Sequence, residues 1–365
     1  MKYAITPVQK ILFIVLFMLI GGMTLFLVLR SNTIAARSQR SDGAVGASVL
    51  TPKDLASERE RLFYRFDEVG GVRVYAELKE KYAASSFDVQ HAVAHIFGEV
   101  LYEKMGIEGV AVCDGSFAFG CYHSFFGKAI SEKGMAAVGD LDKACIRKYG
   151  PLGTGCQHGI GHGLLEYTGP GGLAKALDGC MLTTQVKELF GCTSGIFMEY
   201  NIPVLTSGAS SSLEPRKFDA ANPYAPCNTT VLGRFRKSCY YELSQWWDKV
   251  LGGDYGKLGV LCSGITSAEY KEFCFLGVGN IAAPSSQYDV AKTIEACSKM
   301  PNDEDETLCR AGASWSFFAA PEKRSLAPAV CEGIETERQH YCIKKSDLIG
   351  NGEKNASIKS QSQRL

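Results

Sequence analysis

Residues 156–180 read CQHGIGHGLLEYTGPGGLAKALDGC. Apolar residues recur at helical spacing through Tyr167, the run TGPGG interrupts them, and LAKALDGC resumes as a shorter helix. The segment is therefore a helical hairpin bracketed by two cysteines, Cys156 and Cys180.

The same bracket recurs along the chain. The fourteen cysteines are Cys113, Cys121, Cys145, Cys156, Cys180, Cys192, Cys227, Cys239, Cys262, Cys274, Cys297, Cys309, Cys331 and Cys342. Short steps of 8 to 12 residues alternate with long steps of 22 to 24, and one long step is 35. Together a short and a long step give a period near 35 residues, which marks an array of helical hairpins. With the second cysteine of each pair as position zero, Cys121, Cys156, Cys192, Cys239, Cys274, Cys309 and Cys342 each open a unit. GLAKALDGC, YDVAKTIEAC and KRSLAPAVC read as the second helix of three of them. Position +3 is small at Ser124, Gly159, Gly195, Gly277 and Gly312, with Glu242 the exception. Glycine weakens a helix, so its recurrence there predicts a close helix crossing.

A further unit lies upstream without its cysteine. VQHAVAH, from Val89, repeats the pattern of CQHGIGH, from Cys156. Val89 stands 24 residues before Cys113, the same step as from Cys156 to Cys180. Pairing the cysteines across the long steps would strand Cys113, whose partner position is Val89, and also Cys342. Pairing across the short steps uses all fourteen. Parity thus predicts Cys113–Cys121, Cys145–Cys156, Cys180–Cys192, Cys227–Cys239, Cys262–Cys274, Cys297–Cys309 and Cys331–Cys342. Each bond closes a loop of about ten residues, worth on the order of 2–3 kcal/mol in the chain-entropy model.

The fold expected is all-α: a solenoid of about seven αα-hairpin repeats stapled by disulfides, over residues 54–345. In architecture it resembles the cysteine-rich tetratricopeptide-like proteins, with paired helices, about 35 residues and one disulfide per unit over residues 86–345. The resemblance implies a right-handed superhelix with the first helices on its concave side. It implies no activity, and the WxxLGxxY-type tetratricopeptide signature is missing.

The flanks complete the domain plan. ILFIVLFMLIGGMTLFLVL, residues 11–29, carries no charge. As a helix it would reach about 28 Å, enough to cross a bilayer core. Residues 1–30 are therefore expected to be a transmembrane anchor. A cleaved signal peptide processed near SNTIAAR is the alternative. Residues 31–53 read as a flexible linker, 54–84 as a helical cap, and 346–365 as a disordered tail. The run SGASSSLEPRKFD, inside the 35-residue step, reads as an inserted surface loop. Asn228 and Asn355 open glycosylation sequons. Fourteen cysteines without a CxxC pair point to an oxidising compartment, so the repeat domain is expected outside the cytoplasm.

Five of the six histidines fall in the first three units. His91, His123 and His158 occupy position +2, and His95 and His162 occupy +6. Glu99 and Glu166 occupy +10. Units one and three thus carry H-x3-H-x3-E on one helix face, with a middle unit of smaller side chains, Gly127 and Ser131, beyond His123. Imidazole and carboxylate ligate zinc, iron, manganese or copper. The candidate metal ligands are His91, His95, His123, His158, His162, Glu99 and Glu166. A structural polar ladder is the competing reading. It should have followed the repeat along the chain, yet Ser194, Tyr241, Leu276 and Ala311 replace the +2 histidine in later units.

Other chemistry is excluded. Ala92 and Gly159 stand where HExxH needs its glutamate, and CxxCH, GxSxG and phosphate-loop patterns are absent. The net charge is zero with no basic stripe, so nucleic acid is not an expected partner. Tyr240, Tyr241, Trp246 and Trp247, and Trp315, Phe317 and Phe318, read as core between repeats. His340 carries no assignment.

The expected function is binding: a membrane-tethered scaffold whose first three units present a His/Glu face to a zinc, iron or copper ion. Its concave side would take a protein or a small polar ligand. The alternative is a metal-dependent enzyme, a hydrolase or oxidoreductase, with His91, His95, His158 and His162 as ligands and His123 or a glutamate as acid or base.

Overall fold

The structure, a computed structural model, describes residues 50–117, 119–150, 154–184, 189, 191–203, 216–320 and 323–346. The apolar run at 11–29, residues 31–49, most of the inserted segment and the tail beyond Ser346 lie outside the described residues. Among the described residues there is no strand, and no helix is long and apolar enough to cross a membrane.

Helix α1, Pro52–Val69, begins before the expected boundary at residue 54. Thr51 explains this. Its side chain accepts from Asp54 N at 3.2 Å, and Asp54 Oδ2 accepts from Thr51 N at 2.9 Å, a reciprocal capping box with Pro52 at the first helical position. Gly70, with φ at +76°, turns the chain into α2, Gly71–Tyr82. Tyr75 of α2 stacks on Phe97 with ring centres 4.7 Å apart, which seats the pair on the first unit.

The first helices of the units follow. They are α3 (Phe87–Met105), α4 (Gly120–Lys133), α6 (Thr154–Thr168), α8 (Cys192–Asn201), α9 (Arg236–Val250), α11 (Ala268–Ser285) and α13 (Asp303–Ala319). Each packs against the next in this order. Between them lie α5 (Val138–Tyr149), α7 (Leu173–Cys180), α10 (Tyr255–Ser263) and α12 (Val290–Cys297), and α14 spans 336–346. GLAKALDGC and YDVAKTIEAC thus supply α7 and α12, the latter N-capped by Asp289. KRSLAPAVC does not form an α-helix. It makes two 3-10 turns, Arg324–Leu326 and Pro328–Cys331, because Pro328 lacks an N–H and clashes with the preceding turn. The first unit also returns through a 3-10 segment, Gly106–Val112.

All fourteen cysteines pair as parity requires: Cys113–Cys121, Cys145–Cys156, Cys180–Cys192, Cys227–Cys239, Cys262–Cys274, Cys297–Cys309 and Cys331–Cys342. Cα–Cα distances of 5.5–5.8 Å lie in the normal disulfide range. Each staple joins the end of one unit to the first helix of the next. Cys262, in the last turn of α10, is thus bonded to Cys274 in the second turn of α11, and both are fully buried. Seven disulfides and no free cysteine fit maturation in an oxidising compartment.

The small residue at +3 has a repeated contact. A Cβ on Gly195 would overlap the carbonyl oxygen of His158, on Gly277 that of Tyr241, and on Gly312 that of Leu276. In each case the +3 glycine meets the +2 carbonyl of the preceding helix. Glu242, the exception, meets the same position through its side chain, accepting a hydrogen bond from the Ser194 hydroxyl. Trp246, Trp247 and Tyr241 are fully buried, as core residues should be. The two indole N–H groups donate to Arg216 O and Pro223 O. Phe317 is buried, but Phe318 is exposed and stacks on a partly buried Trp315.

Candidate metal centre

Helix α3 carries His91 and His95, α4 carries His123, and α6 carries His158 and His162. The +2/+6 spacing sets each pair one turn apart on one face, and the sequential packing of the three helices brings the faces together. Ring centres are 4.4 Å apart for His91–His95 and 4.8 Å for His158–His162. His123 lies between the pairs, 5.3 Å from His91, 5.6 Å from His95, 4.2 Å from His162 and 6.4 Å from His158. Four of the five are buried, and His158 is partly exposed.

Two sets of ligand-competent nitrogens result. Those of His91, His95 and His123 lie within 4.8 Å of one another, and so do those of His123, His158 and His162. Glu99 and Glu166, also expected as ligands, belong to neither set. They sit a turn beyond the histidines. Burial raises the Glu99 carboxyl above its usual range. Burial first, then the carboxylates of Glu199 and Glu99, push Glu166 up to about 7.

Two of the imidazoles are oriented by acceptors. His91 Nδ1 lies 2.9 Å from Phe117 O. A carbonyl only accepts, so Nδ1 carries the proton and Nε2 is left as the lone-pair nitrogen of the neutral ring. His162 Nδ1 lies 2.8 Å from Glu199 Oε2, so its Nδ1–H is turned to the carboxylate and Nε2 faces the cluster. Carboxylates and carbonyls behind ligating histidines fix the ring and raise its basicity in the same manner. His162 Nε2 in turn faces His158 Nε2 at 3.0 Å. Without metal this is an N–H···N bond between the two rings. With both nitrogens deprotonated it is a spacing compatible with two ligands on one ion.

The Phe117 carbonyl is held at some expense. Phe117 (φ 53°) and Phe119 (φ 63°) both occupy the left-handed region, at a cost on the order of 1–3 kcal/mol each. The Cys113–Cys121 disulfide closes the loop that contains them. Gly120 then lets α4 start against α3, since a Cβ there would press on the His91 carbonyl and Nδ1.

Three further nitrogens have no protein partner. Among the described residues, His95 Nε2 and both ring nitrogens of His123 are buried without a hydrogen-bond partner. Burial, reinforced by the neighbouring imidazoles, holds His95, His123 and His158 well below the usual histidine range. These rings are neutral at physiological pH, the form that ligates metal.

Glu199 and the Phe117 carbonyl escape the sequence pattern. Glu199 lies at +7 of its unit, a position with no acidic counterpart in units one and three. A signal was available: +7 lies one turn beyond Gly195, on the face that meets α6, and a carboxylate within the apolar run GIFMEY needs a buried partner. Comparison of the chain with protein-family models, with curated proteins and with solved structures finds no match.

Proposed function

We propose that this chain is an exported helical-repeat protein that binds a transition metal through His91, His95, His123, His158 and His162. The observation that carries the reading is the set of unpartnered buried nitrogens on His95 and His123. Each costs roughly 1–3 kcal/mol when left without a partner, and a cation would satisfy them. A structural ladder would pair its members with one another or with backbone. With every cysteine in a disulfide, no thiolate competes, and an imidazole donor set suits zinc, copper or iron.

The wider architecture belongs to the same proposal. The repeated +3 to +2 helix contact and the regular disulfides support a solenoid of tetratricopeptide-like hairpins. The uncharged run at 11–29 would tether it to a membrane. Its concave side would carry a protein or small polar ligand. A second reading, a metal-dependent hydrolase or oxidoreductase, is favoured by one observation. Glu166, partly buried and one turn beyond His162, has its carboxyl pushed up to about 7 by burial and the nearby carboxylates, beside a cluster that is partly exposed at His158.

Metal analysis of the untagged protein tests the proposal. The expected result is stoichiometric metal, lost when His95→Ala and His162→Ala are combined. A metal-free protein that takes up neither zinc, copper nor iron on dialysis would overturn it.

A further inference from the structure

Resting on the metal-binding reading above, we propose that His123 bridges two metal ions through both of its ring nitrogens, as an imidazolate. The two ligand sets, His91/His95/His123 and His123/His158/His162, share His123 alone. Helix α4, which carries it, lies between α3 and α6, so one ring faces a histidine pair on either side.

The second nitrogen of His123 decides between one ion and two. A histidine that ligates a single ion donates its other N–H to a carboxylate, a carbonyl or water. His91 does so with Phe117 O, and His162 with Glu199 Oε2. Among the described residues no carboxylate or carbonyl reaches His123, a residue only 4 % exposed with both ring nitrogens buried. With one ion bound, the remaining His123 N–H would stay buried and unpaired. With two, each nitrogen has a cation, and each cation has two further imidazoles.

The bridge balances as follows. Neutral His123 carries one N–H. The first ion takes the lone-pair nitrogen. The second displaces the proton from the other nitrogen to solvent, leaving an imidazolate with a metal–nitrogen bond at each end. Metal–nitrogen bonds of about 2.0–2.1 Å on the two sides of the ring set the ions about 6 Å apart. The partly exposed His158 marks the side on which solvent can reach the pair.

Copper(II) is the probe, because an imidazolate bridge couples the two unpaired electrons antiferromagnetically. The full, untagged protein is titrated with copper(II) at neutral pH, and bound metal is counted alongside the electron paramagnetic resonance intensity at low temperature. The bridge predicts two coppers per chain and a spin count well below two. In His123→Ala, the copper that remains bound should show its full spin count. The wild-type measurement decides the matter even if that variant does not fold. One copper per chain, or two with full uncoupled intensity, overturns the bridge and leaves the metal-binding reading standing. No bound copper, zinc or iron overturns both.

Discussion

His162 Nδ1 and Glu199 Oε2 lie 2.8 Å apart, and both side chains are wholly shielded from solvent. They come from α6 and α8, helices of adjacent units, so the contact ties the orientation of a metal-ligand candidate to the packing of the next repeat. Glu199→Ala should leave His162 free to rotate and its Nδ1–H unpaired. Metal affinity should fall about 10–100-fold, as for other lost partners behind ligating histidines. Competition titration against a chelator of known affinity measures this. An unchanged affinity would mean that His162 is not a ligand.

His123→Leu separates a binding site from a structural ladder. Removing two unpartnered buried nitrogens in exchange for apolar surface should make the metal-free protein more stable, by roughly 1–3 kcal/mol. The same variant should lose the stabilisation that added metal gives the wild type. Thermal melts with chelator and with metal check both signs. A metal-free variant less stable than the wild type would favour the ladder.

Gly195→Ala should destabilise the chain by roughly 1–3 kcal/mol, because its Cβ would overlap the His158 carbonyl oxygen. The shift of α8 away from α6 should also weaken metal binding through Glu199. Gly171→Ala is the control, since nothing lies within 4 Å of a Cβ there. Denaturant titration of the two variants should show a large loss for the first and almost none for the second.

Glu242 predicts a pH slope of defined sign. Burial pushes its carboxyl up to about 8, against hydrogen bonds from Ser194 and Gln245 that pull it down. Between the unperturbed 4.5 and about 8 the unfolded chain releases a proton that the native chain keeps. The native state then binds more protons, so this residue's contribution to stability falls as pH rises through that window. Glu242→Gln removes the slope. The melting temperature of the variant relative to wild type should therefore rise from about pH 5 to about pH 8, and a constant difference would show that Glu242 does not hold its proton.

The disulfide pairing is legible because it is written in spacing. Alternating steps between cysteines state both the unit length and the parity that pairs Cys145 with Cys156 and Cys262 with Cys274. Position +3 is legible for the same reason, as a contact repeated along the chain. The histidine cluster can be read in part. Residues four apart on one helix must share a face, which places His91 with His95 and His158 with His162. Which residues complete the shell depends on contacts between helices, and those follow no period. Glu99 and Glu166 repeat in register and so look like ligands, but they stand outside both ligand sets. Glu199 does not repeat, and it touches His162. The return helix expected in KRSLAPAVC fails on a single residue, Pro328, whose effect outweighs the helical pattern around it.

The disulfides all close short loops, so none crosses the interior of a hairpin. Between Cys192 and Cys227 in particular, 34 residues run without a disulfide to another part of the chain. A single peptide bond broken in that span would leave two fragments held together by noncovalent contacts alone. The N-terminal fragment would keep all five clustered histidines, and a cut after Glu199 would keep their buried carboxylate as well. The staples thus fix each junction covalently while leaving the chain divisible between Cys192 and Cys227, with all five clustered histidines on one side of the cut.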